Sequence, residues 1–363
     1  MVHSTLDTPE LGDNLNRYGP TSARPAPATK KRLNSRAIDI HAHVAVPEAA
    51  AYAAPYGNLQ DIAMVRYSND ETRKINAVQD KDRLIAITDF DDRMEVLDAM
   101  GIDFQVVAPP PAQCYYHLPA KAAVEASKIV NDGIASFVAR RPDRLAALGT
   151  VALNSPQDAV TELTRCVTDL GMKGVQILTN VNGKELSDPM FEAFWRRAEE
   201  LGALVMIHPN GFTHGERLSN YYFSNIVGNP FETTLALHHL IFSGTLERIP
   251  NLKILAVHGG GYLPAYSGRI DHAWGARQDC RAGLPKRPTE YLRKIYFDSV
   301  VFTTHQLEYL VKLYGPEKIV MGTDYPYDMC DYDPVELIVS SALSDEEKAM
   351  VAGHNAARLL GIE

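Results

Sequence analysis

Between Ala37 and Met321, short apolar β-branched runs alternate with longer amphipathic stretches, and this alternation restricts the chain to a parallel α/β architecture. The runs are Ala37–Ile40, Phe104–Ala108, Leu145–Leu153, Gly174–Leu178, Leu204–Ile207, Lys253–Val257, Ile295–Phe297 and Ile319–Met321. Helical spacing marks Asp92–Met100, Ala120–Arg140, Pro156–Leu170, Pro189–Leu201, Pro230–Arg248, Leu263–Trp274 and Gln306–Leu313 between them. Asp333–Ser340 and Asp345–Leu360 close the series. Gly101, Gly171 and Gly202 stand just past helix ends, and Ser155-Pro156 and Asp188-Pro189 stand at helix starts. Eight strand–helix units fit a closed (β/α)8 TIM-like barrel better than an open doubly wound sheet. No GxGxxG follows an early strand, which weakens a dinucleotide-binding reading further.

Residues 1–35 differ from the rest. They are polar, with Pro20, Pro25, Pro27 and the basic cluster Lys30, Lys31, Arg32, and read as an extension outside the domain. Residues 36–363 then form a single domain. Three connections exceed plain turns: Val44 to Asp91 after the first strand, Pro209–Gly228 after the fifth and Gly275–Lys294 before the seventh. Loops that follow strands line the C-terminal mouth of a barrel, so long ones are expected as lids or binding loops there.

A formal net charge of −9 argues against a nucleic-acid or anionic-membrane partner, both of which require a basic surface. Cys114, Cys166, Cys280 and Cys330 show no CxxC spacing, so neither a disulfide framework nor a thiolate zinc cluster is expected. No stretch approaches the roughly 18 apolar residues of a membrane span, and the N-terminus lacks a basic segment followed by an apolar run. Cytoplasmic residence is the default expectation.

The chemistry gathers where strands run out. The first strand ends in His41-Ala42-His43, and strand alternation places both imidazoles on one face. The fifth ends in His208-Pro209, the sixth in His258 and three glycines, the seventh near Asp298, and the eighth in Thr323-Asp324-Tyr325-Pro326. Taken singly, His258 or Asp324 reads equally well as a helix cap. Recurrence at successive strand ends is harder to ascribe to packing. His41, His43, His208 and Asp324 offer three nitrogens and one oxygen, a set suited to one divalent ion, with zinc first and manganese or iron(II) as alternatives. The fourth strand ends in Thr179-Asn180 and Lys173 sits at its start, so no bridging lysine for a second ion is expected.

The segments IDIHAH, GVQI, VMIHP, NPFETTLAL, LKILAVHGGG, SGRIDH and MGTDYP, in this order over nearly the whole chain after Arg36, resemble the amidohydrolase-related decarboxylases. That resemblance implies a metal-dependent lyase in which His41, His43, His208 and Asp324 hold the ion. It also implies that His258 assists water at the metal and that Arg269 grips a substrate carboxylate across a subunit boundary, hence a homodimer or higher oligomer. After the fifth strand the family has HPW where this chain has His208-Pro209-Asn210, and after the fourth it has GTH where this chain has Leu178-Thr179-Asn180. Asn180, Asn210 and Arg83, the last one position off the family's second arginine, are accordingly the candidates beside Arg269 for substrate binding.

The expected reaction is non-oxidative decarboxylation of an aromatic or unsaturated ring-fission-type carboxylic acid, with His258 and Asp324 as catalytic candidates. Hydrolysis or hydration of a related acid, lactone or amide on the same scaffold stays open. So does a non-catalytic, metal-stabilised binding protein.

Overall fold

The computed structural model describes Leu33 and residues 35–362 apart from residue 282, so nearly all of the expected extension lies outside the described residues. The barrel strands are β1 Ile38–His43, β2 Phe104–Ala108, β3 Leu145–Ala147 continued as Gly149–Thr150, β4 Gly174–Leu178, β5 Leu204–His208, β6 Lys253–Ala256, β7 Tyr296–Asp298 and β8 Ile319–Val320. Each pairs in parallel with the next. The expected third run, Leu145–Leu153, breaks at Leu148 and ends early. Leu145–Ala147 pairs with β2 and Gly149–Thr150 pairs with β4, so the strand changes partners at the break. The ring closes between β8 and β1: Ile40 N donates to Met321 O at 3.0 Å and His43 N donates to Tyr325 O at 2.8 Å.

Strand alternation sorts the side chains into two layers. Leu204 and Met206 pack with Leu255, Val257, Ile38 and Ile40 inside the barrel. Val205 and Ile207 pack outward with Leu163, Trp195 and Leu237 from the surrounding helices. The helices begin and end on local chemistry. Asp89 caps Phe90–Met100 by accepting from Asp92 N, and Gly101, at φ 71°, takes the left-handed turn that stops it.

The first long connection is not an open loop. It folds into short helices, Pro47–Ala53, Ala63–Arg66, Asp70–Asp82 and Leu84–Thr88, that roof part of the mouth. Mean helical spacing is weak there because many of their side chains face solvent rather than a core. Among the described residues no helix is long and apolar enough to cross a membrane.

Candidate metal centre

A slip in β1 aims the first two histidines. Ile38 and Ile40 point into the barrel, yet Ala42 and Val44 pack with the outer, helix-covered layer. The β1–β2 register shifts between Asp39 and Ala42. Strict alternation from Ile38 would send His41 and His43 outward; the irregularity exchanges the faces and turns both imidazoles to the interior mouth. His208 needs no such device, since it shares the inward parity of Leu204 and Met206.

His41, His43, His208 and Asp324 converge, with their ligand atoms within 4.8 Å of one another. All four are buried. Each histidine has its Nδ1 committed. His41 Nδ1 bonds Asp298 Oδ2 at 2.7 Å, His43 Nδ1 bonds Pro109 O at 2.9 Å, and His208 Nδ1 bonds Pro209 O at 2.7 Å. These acceptors hold the proton on Nδ1 and leave the three Nε2 lone pairs turned toward one another. His43 Nε2 lies 3.2 Å from His41 Nε2, and Asp324 Oδ1 lies 3.0, 3.3 and 3.8 Å from the Nε2 atoms of His43, His41 and His208. His208 Nε2 has no hydrogen-bond partner among the described residues. A buried cluster of acceptors facing acceptors is unfavourable unless a cation sits among them. The donor set is therefore that of a single divalent metal site.

The electrostatics agree. Burial works against a charge on His41, but the carboxylates of Asp324 and Asp298 outweigh it and push its pKa up to about 10. Burial pushes His208 down to about 3. Burial opposes the charge on Asp324 too, yet the surrounding histidines hold its pKa well below the usual carboxylate range. The pocket thus demands positive charge at one place, which an ion satisfies by displacing the proton.

The remaining strand-end residues support this centre. Asp298 accepts from His41 on one oxygen and from Gly259 N, at 2.8 Å, on the other. Asp298→Asn keeps the shape but loses the charge behind His41, and metal affinity is expected to fall about 10–100-fold in a competition titration. Unchanged affinity would make Asp298 a mere cap of the β7 end. Asp39 clamps β1, β2 and β8 together, accepting from Thr323 Oγ1 at 2.7 Å and from Gln105 Nε2 at 2.7 Å.

Arg93 was not anticipated. It is fully buried, donates to His43 O at 2.6 Å, Ala86 O at 3.0 Å and Gln105 Oε1 at 2.8 Å, and lies 4.6 Å over the Tyr325 ring. Its signal in the sequence is a lone arginine on the apolar stripe Phe90, Leu97, Met100.

His258 stands beside the four, its ring 5.0 Å from that of His208, but outside the cluster that their ligand atoms form. Its Nε2 is 3.4 Å from Asp324 Oδ2, and its backbone at φ 55° swings the ring over the centre. With Asp324 it opens into a cavity of about 350 Å³ walled by Ile226, Pro230, Val301, Phe302, Leu310 and Met329. Arg83 is buried, with its guanidinium 4.9 Å over Tyr327, whose ring meets His43 edge-on at 5.3 Å. Arg269 is exposed on helix Gly268–Ala276 and does not line that cavity. Asn180 and Asn210 line a second, polar cavity. The Asn180 amide donates to Glu232 and Thr213. In the aromatic segment Tyr221-Tyr222-Phe223 after β5, Tyr221 is exposed and Tyr222 reaches Asp328 Oδ1 at 3.3 Å.

Residues 38–362 match the amidohydrolase family. The chain belongs to that family. A 2-amino-3-carboxymuconate-6-semialdehyde decarboxylase of Dictyostelium discoideum is 38% identical to this amidohydrolase over 277 residues, 76% of this chain and 77% of that protein. A gamma-resorcylate decarboxylase of Rhizobium radiobacter is 27% identical over 296 residues, 75% of this chain and 87% of that one. Among solved structures, the 5-carboxyvanillate decarboxylase of Sphingomonas paucimobilis superposes with a TM-score of 0.79 at 27% identity, covering 90% of this chain and 99% of that one.

Proposed function

We propose that this amidohydrolase is a metal-dependent, non-oxidative decarboxylase of an aromatic or unsaturated carboxylic acid. The observation that carries the reading is His258, which stands outside the four-residue cluster, beside Asp324 and on the wall of an apolar cavity. The relatives add weight, since those that span most of this chain are named for removing a carboxylate from such acids.

His41, His43, His208 and Asp324 would hold one ion, with zinc the first choice for three imidazoles and a carboxylate. When bound, a divalent ion supplies Lewis-acid polarisation of a substrate oxygen and lowers the pKa of nearby water. The chain's own groups do the rest. His258 delivers a proton from Nε2 to the carbon that bears the carboxylate. The carboxylate then departs as CO2, its C–C electron pair restores the ring or double bond, and solvent returns the proton to His258. Asp324 holds the His258 ring in place through Oδ2. The apolar walls keep water from the reacting carbon. Arg83, buried beside Tyr327 and paired with Asp80 at 3.0 Å, is the candidate to orient the substrate's charge from the same chain, and Arg269, exposed and off the wall of its own cavity, from a second copy in a homodimer.

The test is CO2 release by the metal-loaded protein from a panel of aromatic and unsaturated acids. Release should vanish after chelation and return on adding the ion. Acid formation or loss of unsaturation without CO2 would replace decarboxylation by hydrolysis or hydration at the same centre.

A further inference from the structure

The proposed reaction uses one side of the mouth. A larger cavity, of about 650 Å³, lies among the connections that follow β1, β2, β4 and β5. Three anchors set it against the metal centre. Asn210 stands two residues past His208. Thr179 follows Leu178, which pairs with His208 across β4 and β5. Pro111 stands two residues past Pro109, whose carbonyl holds His43.

Backbone strain singles out the same places. Among the described residues the non-glycine positions with left-handed φ are Tyr115, Asn182, Tyr221, Tyr222, His258, Phe302 and Asp324. His258, Phe302 and Asp324 line the apolar cavity, Tyr115 and Asn182 line the polar one, and Tyr221 and Tyr222 border a third at the β5 loop. Such strain persists where the surroundings over-determine it, which is typical of binding sites.

The polar cavity offers hydrogen bonds with little charge to spare. Arg66 and Asp61 on its wall face each other at 3.4 Å. Asn182 donates to Tyr116 O at 2.7 Å, and Asn180 is held by Glu232 and Thr213. The Asn210 carboxamide and the His117 imidazole, by contrast, have no hydrogen-bond partner among the described residues. Burial pushes the His117 pKa down, which favours its neutral form.

We propose that this cavity reads the end of the substrate remote from the departing carboxylate, and that this end carries an uncharged hydrogen-bonding group, a carboxamide, hydroxyl or carbonyl, met by Asn210 and His117. The assignment rests on the decarboxylase reading only for the identity of the departing group. An apolar end would leave both side chains unpaired, and a second carboxylate would meet Asp61 with Arg66 already engaged.

Calorimetric titration of the metal-loaded protein tests this without requiring turnover. Three benzoic acids serve as probes, carrying opposite the carboxylate a carboxamide, the isosteric isopropyl group or a second carboxylate. The carboxamide should bind about tenfold more tightly than either of the others, the worth of a hydrogen bond or two. Asn210→Leu and His117→Phe should each narrow that preference, with metal content unchanged. Equal affinities in the wild type, or a preference that survives both substitutions, would overturn the assignment. CO2 release is scored separately, so the proposed reaction stands or falls independently of this comparison.

Discussion

His258→Asn is expected to keep the ion and to cut turnover by about 10²–10⁴-fold, the usual worth of a positioned proton donor. The expectation follows from where the ring stands. His41, His43 and His208 direct Nε2 into the cluster, whereas His258 faces Asp324 Oδ2 from 3.4 Å and opens to the cavity. It is the imidazole at the mouth that stands outside the four-residue donor set. Its Nδ1 has no hydrogen-bond partner among the described residues, so asparagine breaks no bond with them there. Elemental analysis alongside single-turnover CO2 release separates the two effects. Full turnover in the variant would remove His258 from the mechanism. Loss of metal together with turnover would make it a fifth ligand instead.

His208→Ala should act in the opposite order. The ion is lost first, and turnover falls with it to the limit of detection. Among the described residues the one hydrogen bond of the His208 side chain runs from Nδ1 to the neighbouring Pro209 carbonyl, while its Nε2 is left for a metal to satisfy. Removal of a supporting residue behind a ligand costs about 10–100-fold in affinity, and removal of the ligand itself should exceed that. Circular dichroism should be unchanged, because the ring meets only the other side chains of the metal mouth, His41, His43, His258 and Asp324. A variant that retained one equivalent of ion after dialysis would show that His208 does not belong to the donor set.

The two variants also separate the rival readings of this amidohydrolase. A binding protein merely stabilised by metal would lose stability with His208→Ala and be indifferent to His258→Asn. A hydrolase on the same centre would respond to both, and only its products would distinguish it.

Much of this was legible in one dimension because the relevant rules are local. Eight apolar runs separated by capped amphipathic helices imply a parallel barrel, since β-branched runs fit strands and crossovers must bridge parallel neighbours. A histidine or aspartate just where such a run stops is likewise visible in the sequence, and strand ends form the mouth. Those two facts bring out six strand-end candidates, and the family resemblance divides them into four donors and the supporting His258 and Asp298.

What the sequence did not carry depends on contacts between distant segments. Period-two alternation puts His41 and His43 on a common face but cannot say which face. The register slip in β1 decides it, and that slip exists only in the pairing with β2. The proton on His41 is placed by Asp298, 257 residues away, and the carbonyl of His43 is tied down by Arg93 through a helix that sequence spacing alone marks as merely amphipathic. The helical roof over the mouth and the division of the mouth into apolar and polar cavities arise from packing of several connections at once. The sequence by itself determined the barrel and the donor types. Tertiary structure determined where their lone pairs point, because alternation and caps are properties of neighbours in the chain, while coordination geometry is a property of neighbours in space.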